Sequence, residues 1–207
     1  MTRLKHKSPR YLFLFFSLCL IFSGCGQNKN AWSTKDISGL MPTLAFHLTE
    51  ANRNKAVTAE DYRGKILLLY FGYMHCPDIC PTTLKHLQNA LAPLGQLASQ
   101  VQVLFVSVDP DRDTLSELKS YTEFFGPQVV GLRGNQEALR KLTKRYRVTY
   151  GYDKPDDEGE YTVSHSSAVY VFDRRGDVRL MIRPDDSVVA ISHDLKHLLT
   201  EHSDSNS

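Results

Sequence analysis

Cys76 and Cys80 are the residues of this chain best suited to chemistry. They lie in Phe71-Gly-Tyr-Met-His-Cys-Pro-Asp-Ile-Cys-Pro81, between a continuous apolar run and a segment of helical periodicity. Helix N-termini carry partial positive charge and favour thiolates, so position alone predisposes both sulfurs to ionise. Thiolates serve disulfide exchange and metal binding alike. Redox dithiols usually have two residues between their cysteines. Here Pro77, Asp78 and Ile79 intervene, which leaves room for a metal ion without forbidding a disulfide. The plainer alternative is a pair of structural cysteines.

Two sulfurs do not complete a metal site, and the third-donor candidates are the 8 histidines. His6 falls in a basic leader. His86 lies beyond the opening turn of a helix, His47 in an early hairpin, and His193, His197 and His202 on a terminal helix, where a solvated face is expected. His165 sits in Val163-Ser-His-Ser-Ser167, just before an apolar run. His75 adjoins Cys76, but adjacent side chains often diverge. Asp109 ends another apolar run, at the sheet edge where open α/β folds place their sites. It would tune a metal or bind a ligand there. An Asp-Pro turn, with Asp113 starting the next helix, explains it equally well.

The elements that must position these groups follow from patterning. Lys65–Phe71 and Val101–Val108 are continuous apolar runs and read as strands buried on both faces. Leu84, Leu87, Leu91 and Leu94 predict a helix from Pro81 to Ala98, with Pro93 late in it. Thr114-Leu-Ser-Glu117 is a capping-box match opening a helix to Phe125, and Asn135 caps another to Tyr146. Val129-Val130 and Val148–Tyr150 read as short strands. Ser167–Phe172 and Val178–Ile182 flank Asp173-Arg-Arg-Gly176 as a hairpin, before a helix over 187–202. Alternation of this kind predicts an α/β architecture. A βαβ unit closed by a hairpin and a helix is the thioredoxin arrangement, here with an N-terminal β extension before Lys65 and inserted elements. In that fold the segment entering the hairpin faces the cysteine loop, which favours His165. Two thiolates and an imidazole suit Cu(I), or Cu(II) with a further oxygen donor. Structural zinc usually wants four protein ligands.

Composition sets the remaining bounds. The 207 residues are 42% hydrophobic and 23% charged, ordinary globular usage that excludes collagen, coiled coils and multi-span membrane proteins. A formal charge of +2 is no footprint for nucleic acid. Arg3, Lys5, Lys7 and Arg10 precede a short apolar run from Tyr11 to Phe22, too short for a span of roughly 20 residues but suited to a signal peptide. Ser23-Gly24-Cys25 resembles a bacterial lipobox, which makes Cys25 the candidate lipidation site. The expected boundaries are a lipoprotein-type signal peptide over 1–24, a lipid-anchored tether over 25–40, a folded domain over 41–202 and a disordered tail over 203–207. With Cys19 in the leader, only Cys76 and Cys80 of the 4 cysteines remain for the folded domain, a site rather than a scaffold.

Taken together, Phe71-Gly-Tyr73, Cys76-Pro-Asp-Ile-Cys-Pro81, Ser107-Val-Asp-Pro-Asp-Arg-Asp-Thr114 and His165 ahead of Val169-Tyr-Val-Phe172 strongly resemble the Sco/SenC family of copper-binding assembly proteins for cytochrome c oxidase. The resemblance implies a thioredoxin-like fold and membrane tethering in the bacterial cell envelope, facing the periplasm or exterior. It implies one copper per domain, held by Cys76, Cys80 and His165. The cargo would pass to the dinuclear copper site of oxidase subunit II or to another exported copper protein. A thiol–disulfide oxidoreductase acting on the cysteines of such a client is the alternative. Met74-His75 fills a pair that varies in the family, so His75, like Asp109, stands as an auxiliary donor.

Overall fold

The computed structural model describes residues 32–201, together with Thr2. In chain order the strands and helices are β1 (Lys35–Asp36), β2 (His47–Glu50), β3 (Lys55–Thr58), β4 (Ile66–Gly72), α1 (Ile79–Leu91), β5 (Val101–Ser107), α2 (Leu115–Glu123), β6 (Val129–Arg133), α3 (Gln136–Arg145), β7 (Tyr150–Tyr152), β8 (Val163–His165), β9 (Val169–Phe172), β10 (Val178–Ile182) and α4 (Val188–Thr200). Eight strands form one sheet in the order β1-β10-β9-β4-β5-β6-β2-β3, and β7 and β8 form a separate ribbon. This is the expected α/β, thioredoxin-like layout.

The two apolar runs occupy the sheet centre. β4 and β5 pair in parallel and every residue of both is buried. Parallel strands are buried on both faces, which is why these runs lack alternation. Each fully buried Leu there contributes roughly 1.5–3 kcal/mol. α1 turns Leu84 and Leu87 into the core. Thr114 and Asn135 accept the backbone N–H groups of Glu117 and Ala138, capping α2 and α3 as their sequences predict. The early hairpin also forms: β2 pairs with β3 and carries it onto β6 at the sheet edge.

Four expectations need correction. The helix from Pro81 to Ala98 starts earlier, at Ile79, and ends at Leu91. Pro93 cannot donate a helical bond, and the chain tightens into a 3-10 segment interrupted at Gly95, φ +56°. The strand expected at Val148–Tyr150 lies at Tyr150–Tyr152 instead. Val148 is held by the end of α3, its N–H donating to the Thr143 carbonyl at 2.9 Å. His197 is half-buried under Trp32, with ring centroids 4.9 Å apart, not on a solvated face.

The fourth correction concerns the start of the folded part, expected near Met41. Among the described residues, packed structure is already present at Trp32. Asp194 of α4 is buried and accepts the N–H groups of Ser33 (3.0 Å) and Thr34 (2.8 Å) and the Thr34 hydroxyl (2.8 Å). β1 then adds to β10, and Ile37 enters the core. A buried carboxylate must be satisfied, and this N-terminal strap supplies the donors. The signal peptide, Cys25, tether residues 25–31, His202 and the 203–207 tail lie outside the described residues.

Burial opposes the Asp194 charge, but bonds from His193, Ser33 and Thr34 outweigh it and hold the carboxyl below the usual range. A depressed carboxyl contributes stability above its unfolded pKa and loses it as pH falls through the folded value. The strap should therefore stay docked until pH drops below about 3.9. Asp194→Ala should cost about 1–3 kcal/mol at neutral pH by orphaning these donors. Trp32 is the single tryptophan, so its fluorescence reports the outcome directly. A red-shifted emission is expected in Asp194→Ala, and an unchanged spectrum would show that the strap docks without this anchor.

Candidate metal centre

The site forms where β4 ends and α1 begins. β4 delivers Gly72 and Tyr73 to the sheet edge. The following turn is closed by the Cys76 N–H donating to the Tyr73 carbonyl at 3.4 Å. Cys80 sits in the first turn of α1 and is fully buried, while Cys76 lies nearer the surface, 8% exposed. Both thiols are free. Gly72 is there because nothing larger fits: a Cβ would stand 2.6 Å from the Phe105 ring and 2.9 Å from the Cys80 sulfur.

His165 reaches the cysteines at the end of β8. This strand is absent from the sequence reading, which assigns no element to Val163–Ser166 and starts the next strand at Ser167. It pairs with β7, placing Tyr150 opposite His165. The His165 Nε2 lies 3.3 Å from the Cys80 Sγ, across 85 residues of chain. Its Nδ1 lies 3.0 Å from the Ser166 carbonyl. A carbonyl only accepts, so Nδ1 carries the proton and Nε2 presents its lone pair to the sulfur. The donor atoms of Cys76, Cys80 and His165 all fall within 4.8 Å of one another. Such a set can hold a soft metal ion with the imidazole already in its ligating tautomer. An open cleft of about 360 Å³ leads to it, walled by Cys76, Ile79 and His165.

The electrostatics differ from the sequence expectation. Burial pushes the Cys80 thiol up to about 12, against the Tyr73 backbone and the neighbouring Tyr70 hydroxyl. Desolvation therefore overrides the helix N-terminus, and Cys80 is a neutral thiol without metal. Burial also lowers the His165 pKa, opposed by the Ser166 carbonyl, so the ring is neutral at neutral pH.

His75 and Asp109 do not join the three donors. They gather with Asp113 into a second group whose polar atoms lie within 4.8 Å of one another. Asp109 is fully buried and occupied: Arg112 Nε donates to it at 2.6 Å and the Tyr161 hydroxyl at 2.8 Å. Asp113 does not start α2. Its buried carboxylate accepts the Ser107 hydroxyl at 2.6 Å and the Met74 N–H at 3.3 Å, with His75 Nδ1 at 3.6 Å. Arg112 lies 3.6 Å above the Tyr161 ring and near that of Tyr73, and the Tyr73 hydroxyl accepts the Val163 N–H at 3.3 Å. These contacts clamp the cysteine loop to the β7–β8 ribbon that carries His165.

A family model described as SCO1/SenC matches residues 41–200. This chain belongs to that family. It is 38% identical over 127 residues to the mitochondrial SCO2 homolog of Bos taurus, covering 60% of this chain and 48% of that protein. The chain spans about half the length of the curated relatives it matches. Among solved structures, it resembles Bradyrhizobium japonicum ScoI with copper bound, with 36% identity, a TM-score of 0.69 and coverage of 75% of this chain and 98% of that one. Apo Sco1 of Thermus thermophilus matches at 32% identity and TM-score 0.71, over 81% of this chain and 97% of that one.

Within this Sco-family site, sequence reasoning passed over Asp113, Arg112, Tyr73 and Gly72 as working parts. All four stand in the two motifs flanking the strand ends, so the signal was present as motif but not as geometry.

Two outcomes follow. Gly72→Ala must displace Phe105 or Cys80 and should destabilise the fold by about 1–3 kcal/mol, read by thermal unfolding; wild-type stability would mean the pocket relaxes freely. By NMR, the His165 ring should titrate below the ordinary value of about 6.5. Its depressed pKa adds stability above the unfolded value, which declines as pH falls through that window. A midpoint at or above about 6.5 would contradict its burial.

Proposed function

We propose that this chain is a copper-binding metallochaperone that carries one copper on Cys76, Cys80 and His165 and helps assemble the dinuclear copper site of cytochrome c oxidase. The carrying observation is the convergence of two sulfurs and a correctly protonated imidazole from segments 85 residues apart. Membership of the SCO1/SenC family and the likeness to a relative solved with copper bound support copper as the cargo. The donors fit it chemically: thiolate and imidazole are soft to borderline ligands. Binding displaces the Cys80 proton to solvent, so a sulfur that is neutral without metal becomes anionic toward it. Lipidation at Cys25 would hold the domain at the bacterial envelope membrane, facing the periplasm or exterior. Oxidase subunit II, or another exported copper protein, is the client in this reading.

A thiol–disulfide oxidoreductase is the second reading, favoured by two free thiols whose sulfurs lie within 4.8 Å. With Cys80 buried, Cys76 at the mouth would be the attacking sulfur, and reduction of a client would leave a Cys76–Cys80 disulfide. That chemistry does not need His165.

His165→Ala separates the two. Copper titration of the reduced wild-type chain should saturate near one equivalent. The variant should bind at least about a hundred-fold more weakly, since one of three donors is gone. Reduction of a disulfide peptide by the variant should match wild type. Undiminished copper affinity in His165→Ala would remove the imidazole from the site.

A further inference from the structure

We propose that the Tyr70 hydroxyl is a hydrogen-bond donor held for the Cys80 sulfur in its thiolate, copper-bearing form, tuning how tightly the site holds its metal. This rests on the copper reading above. Tyr70 is fully buried on β4, and among the described residues its hydroxyl makes no well-formed hydrogen bond, although the Cys80 and Thr83 side chains lie close to it. Buried hydroxyls are almost always satisfied, so an orphan at the back of a binding site calls for a partner that another state supplies.

The strand identifies that partner. Residues two apart line one face of a strand. Gly72 is the face-mate of Tyr70, and its bare Cα looks directly at the Cys80 sulfur. Tyr70 therefore lies beneath the same sulfur from the sheet side. Its ring meets His165 edge-on at 6.2 Å and Phe105 at 5.8 Å. The hydroxyl lies close to the Cys80 sulfur. In the metal-free form, however, the hydroxyl makes no well-formed hydrogen bond to the sulfur.

The chemistry gives the contact its condition. A neutral thiol is a weak acceptor, whereas a thiolate takes charge-assisted hydrogen bonds. When copper bonds to Cys80, the thiol proton leaves to solvent and the sulfur gains negative charge. The waiting O–H then has an acceptor. Such a bond stabilises the loaded state and withdraws electron density from the sulfur, as hydrogen bonds to metal-bound thiolates do. Tyr70 is thus a positioning and tuning residue, not a ligand.

The test compares the full-length chain with Tyr70→Phe and Tyr121→Phe. Tyr121 is the control, because its hydroxyl is also buried and unpaired but feels the cysteines only through their charge. Tyr70→Phe should bind Cu(I) about ten-fold more weakly in chelator competition, ~1.4 kcal/mol. Its Cu(II) form should show the sulfur-to-copper charge-transfer band at lower energy. Its metal-free melting temperature should equal or exceed wild type, since an orphaned hydroxyl has been removed. A purely structural tyrosine would not weaken loading while sparing the empty protein. Wild-type affinity and band position in Tyr70→Phe, or an equal loss in Tyr121→Phe, would overturn the proposal. Failure of wild type to bind copper would instead remove the copper reading, and this inference with it.

Discussion

A 3.3 Å approach between the His165 Nε2 and the Cys80 sulfur closes an 85-residue gap in the chain, and the rest of the molecule can be understood as what holds it. One side comes from the junction of the central strand with α1. There the bare Gly72 lets the sulfur settle against the sheet. The other side comes from a ribbon of two three-residue strands, which has little core of its own. That ribbon is fastened by polar contacts: Tyr73 to Val163, Tyr152 to the Val108 carbonyl, and Arg112 between Asp109 and Glu160. The long motif after β5 is therefore the buckle of the site. Its carboxylates accept from backbone, hydroxyl and arginine groups and lie outside the Cys76–Cys80–His165 cluster.

Burial keeps Cys80 protonated and His165 neutral, and it raises the Asp113 carboxyl as well. A pocket of this kind avoids the penalty of isolated buried charge until a cation arrives to balance it. Metal binding and proton release are then one event. The helix N-terminus favours a thiolate, but across a fully desolvated sulfur its influence is the weaker force.

The sequence made the frame legible wherever local physics was decisive. Unbroken apolar runs marked β4 and β5, leucine spacing marked α1, and capping residues at Thr114 and Asn135 marked the starts of α2 and α3. The pairing of Cys76 and Cys80 was legible from spacing, and His165 only through the fold it implied. What escaped were contacts between distant segments. β8 is too short to show a period, and its partner β7 lies across a charged loop. The strap depends on Asp194, which in sequence is one polar residue on an amphipathic helix. The burial that sets the Cys80 charge state belongs to the packed molecule and has no local signature.

X-ray absorption on the copper-loaded, reduced chain tests the central claim most directly, because it counts donors by element and recognises the imidazole ring by its outer-shell scattering. Two sulfur scatterers and one imidazole nitrogen per copper are expected, with the imidazole signature lost when His165 is replaced by alanine. A centre with sulfur donors alone, or an imidazole signal that survives that replacement, would contradict the account.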